Sequence, residues 1–79
     1  MGHARPRPKQ LAEKLLLIRR KLKLTQPHLA KLLGLSRYID ISNYEHDKNE
    51  PPLAVLLAYS RASKIPLENI IDDDLDLYG

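Results

Sequence analysis

Apolar residues in this chain recur at helical steps and almost nowhere alternate. Leu11, Leu15, Ile18 and Leu22 are separated by four, three and four positions, which lines them up on one face of an α-helix starting near Gln10. Leu16 and Leu17 widen the stripe, while Lys14, Arg20 and Lys21 fall off it. No run keeps period two for long, so no strand is expected. An all-α chain follows, and its punctuation divides it into five helices.

The first break comes at Leu24-Thr25. Thr25 is a good N-cap, and Pro27 fits a first helical turn, where its missing N–H costs nothing. A second, short helix is expected from about Gln26 to Leu33, with Leu29, Leu32 and Leu33 on one side and the small Ala30 between them. Gly34 ends it, as a left-handed C-terminal residue should. Ser36 is then a candidate cap for a third helix over about 37–46, with Ile41 and Tyr44 facing inward. Residues 47–52, Asp-Lys-Asn-Glu-Pro-Pro, read as a loop. A fourth helix over 52–63 offers Leu53, Leu56, Leu57 and Ser60 at core spacing, and Leu67, Ile70 and Ile71 mark a fifth. Beyond them, Asp72, Asp73, Asp74 and Asp76 suggest a frayed acidic tail over 73–79. At the other end, Pro6 and Pro8 lie among basic residues with nothing to bury. Residues 1–9 are expected to form a basic arm, either a solubilising tail or a strand of charge along phosphates or in a minor groove.

Length and composition narrow the function. Seventy-nine residues make one small domain, with room for a binding face and little for a deep cleft. There is no Cys, which excludes a disulfide scaffold and a thiolate zinc site. Four Tyr are the only aromatic residues, so the core must be mainly Leu and Ile. No unbroken apolar run, Leu15–Ile18 among them, comes near the ~20 residues that cross a bilayer. Met1-Gly2-His3-Ala4, followed by Arg5, does not have the form of a signal peptide. The expectation is a cytoplasmic protein with no membrane partner and no cofactor. His3, His28 and His46 lack metal spacing, and no glycine-containing calcium loop surrounds the aspartates, so no metal site is expected. No Ser/His/Asp order, phosphate-cradling glycine loop or paired carboxylate constellation points to an enzyme.

The formal charge of +3 conceals an asymmetry. Residues 1–37 carry ten Lys and Arg against a single acid, Glu13, whereas residues 38–79 carry three bases against nine acids. One half therefore stands at +9 and the other at −6. Basic residues can simply solvate helix faces. A basic half beside an acidic half also suits a polyanion on one side of the molecule.

Two short helices joined by Gly34-Leu35-Ser36 form a helix-turn-helix, in which the first helix braces the second against a major groove. The order Leu24-Thr25-Gln26, Leu29-Ala30, Leu32-Leu33-Gly34-Leu35-Ser36, Ile41-Ser42-x-Tyr44-Glu45, then Pro51, Leu56 and Leu57, resembles the Xre-like helix-turn-helix family of phage-repressor type, from about Gln10 to Ile71. The resemblance implies a five-helix, lambda-repressor-like DNA-binding domain over 10–72. It implies a transcriptional regulator whose third helix reads double-stranded DNA in the major groove, often as a homodimer on a palindrome. Leu75, Leu77 and the fifth helix are candidates for a dimer face.

By the same resemblance Gln26 bonds a phosphate or buttresses a reading residue. Ser36 caps the recognition helix, and Asn43 stands where a base is read. Lys48 and Asn49 approach the backbone flank, and Arg19 pairs with Glu45. The chain departs from the family by one extra residue between Ser36 and Ile41. Counted from Ser36, the groove readers are Arg37 and Tyr38; counted back from Ile41, they are Tyr38 and Ile39. Asp40 would repel phosphate unless it caps the helix or accepts from a cytosine amine. Asp47 and Lys64 stand where glycines are usual, so both must take left-handed backbone. The alternative function is a protein-interaction module of antitoxin or co-activator type on the same fold, which the acidic half and Asp40 favour.

Overall fold

A computed structural model describes residues 8–78. Of the arm expected over residues 1–9, residues 1–7 lie outside them. Among the described residues every regular element is a helix: α1 (Leu11–Leu22), α2 (Gln26–Leu32), α3 (Ile39–Glu45), α4 (Leu53–Ser63) and α5 (Leu67–Ile71). This is the all-α, five-helix, lambda-repressor-like architecture expected.

The stripe on α1 does what its spacing requires. Leu11, Leu15 and Ile18 are buried and face α3, α4 and α5, all of which pack on α1. α2 supplies Leu29 and Ala30, α3 supplies Ile41 and Tyr44, and Leu56 and Ile70 close the core from α4 and α5. α2 packs on α3, and the turn between them is built from backbone bonds. The Gly34 amide donates to Lys31 and the Leu35 amide donates to Ala30, at 3.2 and 2.8 Å. Gly34 has φ +77°, so the helix closes in the left-handed motif that glycine tolerates. Thr25 caps α2, accepting from the His28 amide at 3.3 Å. Lys23, Asp47 and Lys64 take positive φ of 59–62°. The last two were expected where glycines are usual; Lys23 was not.

Three expectations about burial are corrected. Leu53 is 64% exposed, because it stands in the first turn of α4 while the core contacts run through Leu56 and Tyr59. Leu32, at the end of α2, is likewise exposed. Tyr59, which the spacing argument overlooked, is fully buried, its ring filling the space that a chain without Phe or Trp leaves to tyrosine.

The acidic segment after α5 is not frayed, because α1 and this segment satisfy one another's polar groups. The Lys14 ammonium, on a residue only 5% exposed, donates to the carbonyls of Asn69, Asp72 and Leu75 at 2.9, 2.8 and 2.7 Å. Two of these lie in or directly after the last turn of α5, where a cation complements the helix dipole. In return the Asp73 carboxylate accepts from the Lys9 and Gln10 amides at the entry to α1, at 2.8 and 3.0 Å. Leu77 is buried, and Tyr78 lies under the Lys21 ammonium at 5.7 Å.

A candidate nucleic-acid interface

Ile41 and Tyr44 hold α3 to the core, the Glu45 side chain is covered as well, Asp40, Ser42 and Asn43 are half-buried, and Ile39 is exposed. The turn before it settles the extra residue. Ser36 was expected to cap the third helix and does not; it is an exposed bend residue, and the N-cap position falls on Tyr38. The Ile41 amide bonds the Tyr38 carbonyl at 3.0 Å, so the added residue lengthens the turn and the helix begins at Ile39, not Arg37. The reason is the core. Ile41 and Tyr44 must keep their inward register, so the insertion is absorbed where no side chain is buried.

Counting back from Ile41 is therefore the right frame for the helix itself. Tyr38 and Ile39, 54% and 42% exposed, form an apolar pair at its outer N-terminal end. Arg37 precedes them, exposed, and its Nη2 donates to the Asp40 carboxylate at 3.2 Å. Asp40 neither caps the helix by a side-chain bond nor stands alone; it is held by the base three residues before it. Its charge also raises the Tyr44 phenol, after the larger effect of burial.

A second group gathers at the other end of α3. The Asn43 carbonyl accepts from the Lys48 amide at 2.9 Å and the Asn49 amide at 3.4 Å, folding the exposed loop back beside the helix. Asn43, Lys48 and Asn49 are thus brought together, while Arg37 and Tyr38 stand about two turns away along the same rod. The His46 ring bonds the Ser42 carbonyl through Nδ1 at 2.7 Å.

Gln26, the first residue of α2, joins this end from the neighbouring helix. Its amide donates to Glu45 Oε1 at 3.0 Å, which uses one N–H and keeps the carbonyl oxygen of the amide available. Glu45 is simultaneously gripped by Arg19. Nε donates to Oε2 at 2.7 Å, Nη2 donates to Oε1 at 3.1 Å, and Nη1 donates to the Leu24 carbonyl at 3.0 Å. This forked pairing raises the Arg19 guanidinium above its ordinary value, the hydrogen bond to Glu45 being the largest cause. Side chains from α1, α2 and α3 therefore meet at one carboxylate, which fixes where the N-terminus of α2 sits relative to α3. The pairing of Arg19 with Glu45 was expected; Gln26, expected to bond a phosphate or buttress a reading residue, is the third member.

The exposed residues about α3 form a surface, not a cleft. A groove of about 460 Å³ exists, but α1 and the C-terminal segment line it through Glu13, Leu17, Asp76 and Tyr78, away from α3. Among the described residues no group of three His, Asp or Glu is placed to hold a metal ion, and no helix is long and apolar enough to cross a membrane.

A short helix capped by threonine, a left-handed glycine turn and a second helix carried outward on a helical core define a helix-turn-helix protein. Known structures agree. The P22 c2 repressor crystallised with a synthetic operator is 33% identical, with a TM-score of 0.73 over 81% of this chain and 96% of that one. The solution structure of the P22 c2 repressor DNA-binding domain is 31% identical, with a TM-score of 0.74 over 90% and 92%. The chain belongs to this family of lambda-repressor-like, phage-repressor DNA-binding domains. No family model matches the sequence, and no curated protein does. The fold is that of repressor domains and not of an enzyme family.

Proposed function

We propose that the protein is the sequence-specific DNA-binding domain of a transcriptional regulator of Xre-like type, and that α3 enters the major groove. The observation that carries this reading is the mounting of α3. Ile41 and Tyr44 anchor it from inside, while Arg37, Tyr38 and Ile39 stand in solvent at one end and Lys48 and Asn49 at the other. In that pose Lys48 and the first amides of α2 meet phosphates and set the register. Gln26, held by Glu45, turns its free amide oxygen and remaining N–H toward the same backbone. Asn43 bonds an adenine edge, and the apolar face of Ile39 packs on thymine methyls beside Tyr38. Ser36 lies in the exposed turn, where its hydroxyl is available to a phosphate. The crystallised P22 c2 relative is bound to an operator, which supports double-stranded DNA as the partner here.

Two copies on a palindrome complete the proposal, because one seven-residue helix reads only a few base pairs. Fluorescence anisotropy of the chain on mixed-sequence duplex at two salt concentrations is the direct test. Affinity falls steeply with salt, with a slope of about −0.9 for each phosphate neutralised. Selection from a random duplex pool then returns a preferred sequence, palindromic if two copies bind. Absent or salt-insensitive binding would mean a protein-interaction module instead.

A further inference from the structure

We infer that Arg37 and Asp40 act as one reading unit for a guanine, with Arg37 as the contacting residue and Asp40 as the residue that positions it. The inference rests on the DNA-binding reading above and adds to it the identity of one base pair.

The starting point is an acid where a polyanion is to bind. A carboxylate in the first turn of α3 suits the helix dipole but costs affinity through repulsion from phosphates. Asp40 makes no bond to the helix N-terminus, lies 30% exposed, and has Arg37 as its side-chain partner at 3.2 Å. Arg37 is 64% exposed and sits just ahead of the helix, beside the exposed Tyr38 and Ile39. A lone arginine there would sweep many rotamers and meet any phosphate. Bonded through one Nη2 N–H, it is biased toward Asp40, and its other N–H groups remain to be offered as a fork.

A fork of parallel donors matches the O6 and N7 acceptors of guanine in the major groove and no other base edge. The second Asp40 oxygen is then placed to accept from the N4 amine of a cytosine in the same or the adjoining pair. A G·C pair presents two acceptors on guanine and a donor on cytosine, the complement of a donor fork beside a carboxylate acceptor. The pair therefore exchanges general attraction to DNA for discrimination: Asp40 lowers affinity for every duplex and lowers it least where guanine receives Arg37. The i, i+3 spacing of the two residues is set by the extra residue in the turn, which brings Arg37 ahead of Tyr38 and within reach of Asp40.

The experiment is a base-resolved selection from a random duplex pool, followed by competition with duplexes changed at single positions. It uses the full chain, Arg37→Ala, Arg37→Lys and Asp40→Asn at one salt concentration. Circular dichroism checks that each variant stays folded, as both residues are outside the core. The wild-type chain is expected to require a guanine at one position in each half-site by about 5- to 150-fold over adenine. Arg37→Ala abolishes that preference and leaves the other positions unchanged. Arg37→Lys also loses most of it, since an ammonium has no fork. Asp40→Asn gives the outcome that a merely structural role would not: binding to mixed-sequence duplex tightens while the guanine preference falls. A selected site whose guanines are unaffected by Arg37→Ala, or undiminished discrimination in Asp40→Asn, overturns the inference while leaving the DNA-binding reading intact. Failure of the wild-type chain to bind any duplex at low salt overturns that reading and this inference with it.

Discussion

Replacing Lys14 with Met isolates the contribution of a buried ammonium. Methionine keeps most of the apolar stem and removes only the charged group, so the carbonyls of Asn69, Asp72 and Leu75 lose the ammonium, and Asp72 keeps the Leu75 amide at 3.0 Å. Hydrogen bonds to charged groups are worth about 1.5–3 kcal/mol each, but three bonds to one ammonium share its desolvation cost and do not add. Asp72 and Leu75 are exposed residues, so water can reach two of the three acceptors once the ammonium is gone, whereas Asn69 is half-buried. The expected loss is therefore about 2–4 kcal/mol. Replacing a whole buried ion pair with apolar groups is often neutral, but here the acceptors are backbone and remain in the variant. Against a total of roughly 4–12 kcal/mol for a chain of this length, the change is large, and it corresponds to a fall in Tm of roughly 10–30 °C. Urea unfolding followed by circular dichroism measures it. The m-value should also drop, because a segment already detached in the native state exposes less new surface on unfolding. A variant within about 0.5 kcal/mol of wild type, with unchanged m, would refute the claim that this ammonium holds the C-terminal segment.

Three further outcomes follow from named groups. The Tyr59 hydroxyl is buried with no hydrogen-bond partner among the described residues, so Tyr59→Phe should match or exceed wild-type stability, by up to about 1 kcal/mol in thermal melts. Burial, foremost, and the nearby Glu45 raise the Tyr59 phenol well above its ordinary value of 10.0. Its contribution to stability is thus complete below pH 10 and declines as pH rises toward the folded value, so wild type should lose stability above pH 10 and Tyr59→Phe should lose less. The amides of Gln10 and Lys9 hold the Asp73 carboxyl below its ordinary 3.8. Its contribution is present above that value and vanishes as pH falls through the folded one, so Asp73→Asn should flatten the acid limb of a pH–stability curve below about pH 5. Lys48→Ala should weaken binding to all duplexes alike and reduce the salt slope by about 1, with the selected sequence unchanged in a random-pool experiment.

Local chemistry alone was enough for the existence of the helices and for most of their ends. The four-three-four spacing of Leu11, Leu15, Ile18 and Leu22 has one low-energy solution, and Thr25, Gly34 and Asp47 each act on backbone within a few residues of themselves. The pairing of Arg19 with Glu45 was legible too, because the resemblance carried it and both residues stand at fixed places on their helices. What periodicity could not reach depends on which neighbour covers which face. Lys14 reads as a solvated base on α1 until the end of α5 turns three carbonyls toward it. Leu53 and Tyr59 both belong to α4, and only the positions of α1 and α5 decide that the leucine is exposed and the tyrosine buried. The start of α3 was undecidable for the same reason. The sequence shows one residue too many between Ser36 and Ile41, but the core, by demanding Ile41 and Tyr44 inward, places the surplus in the turn and sets Arg37 against Asp40. Bonds within one turn are encoded by the residues that make them, whereas a contact between distant segments exists only after the chain has packed.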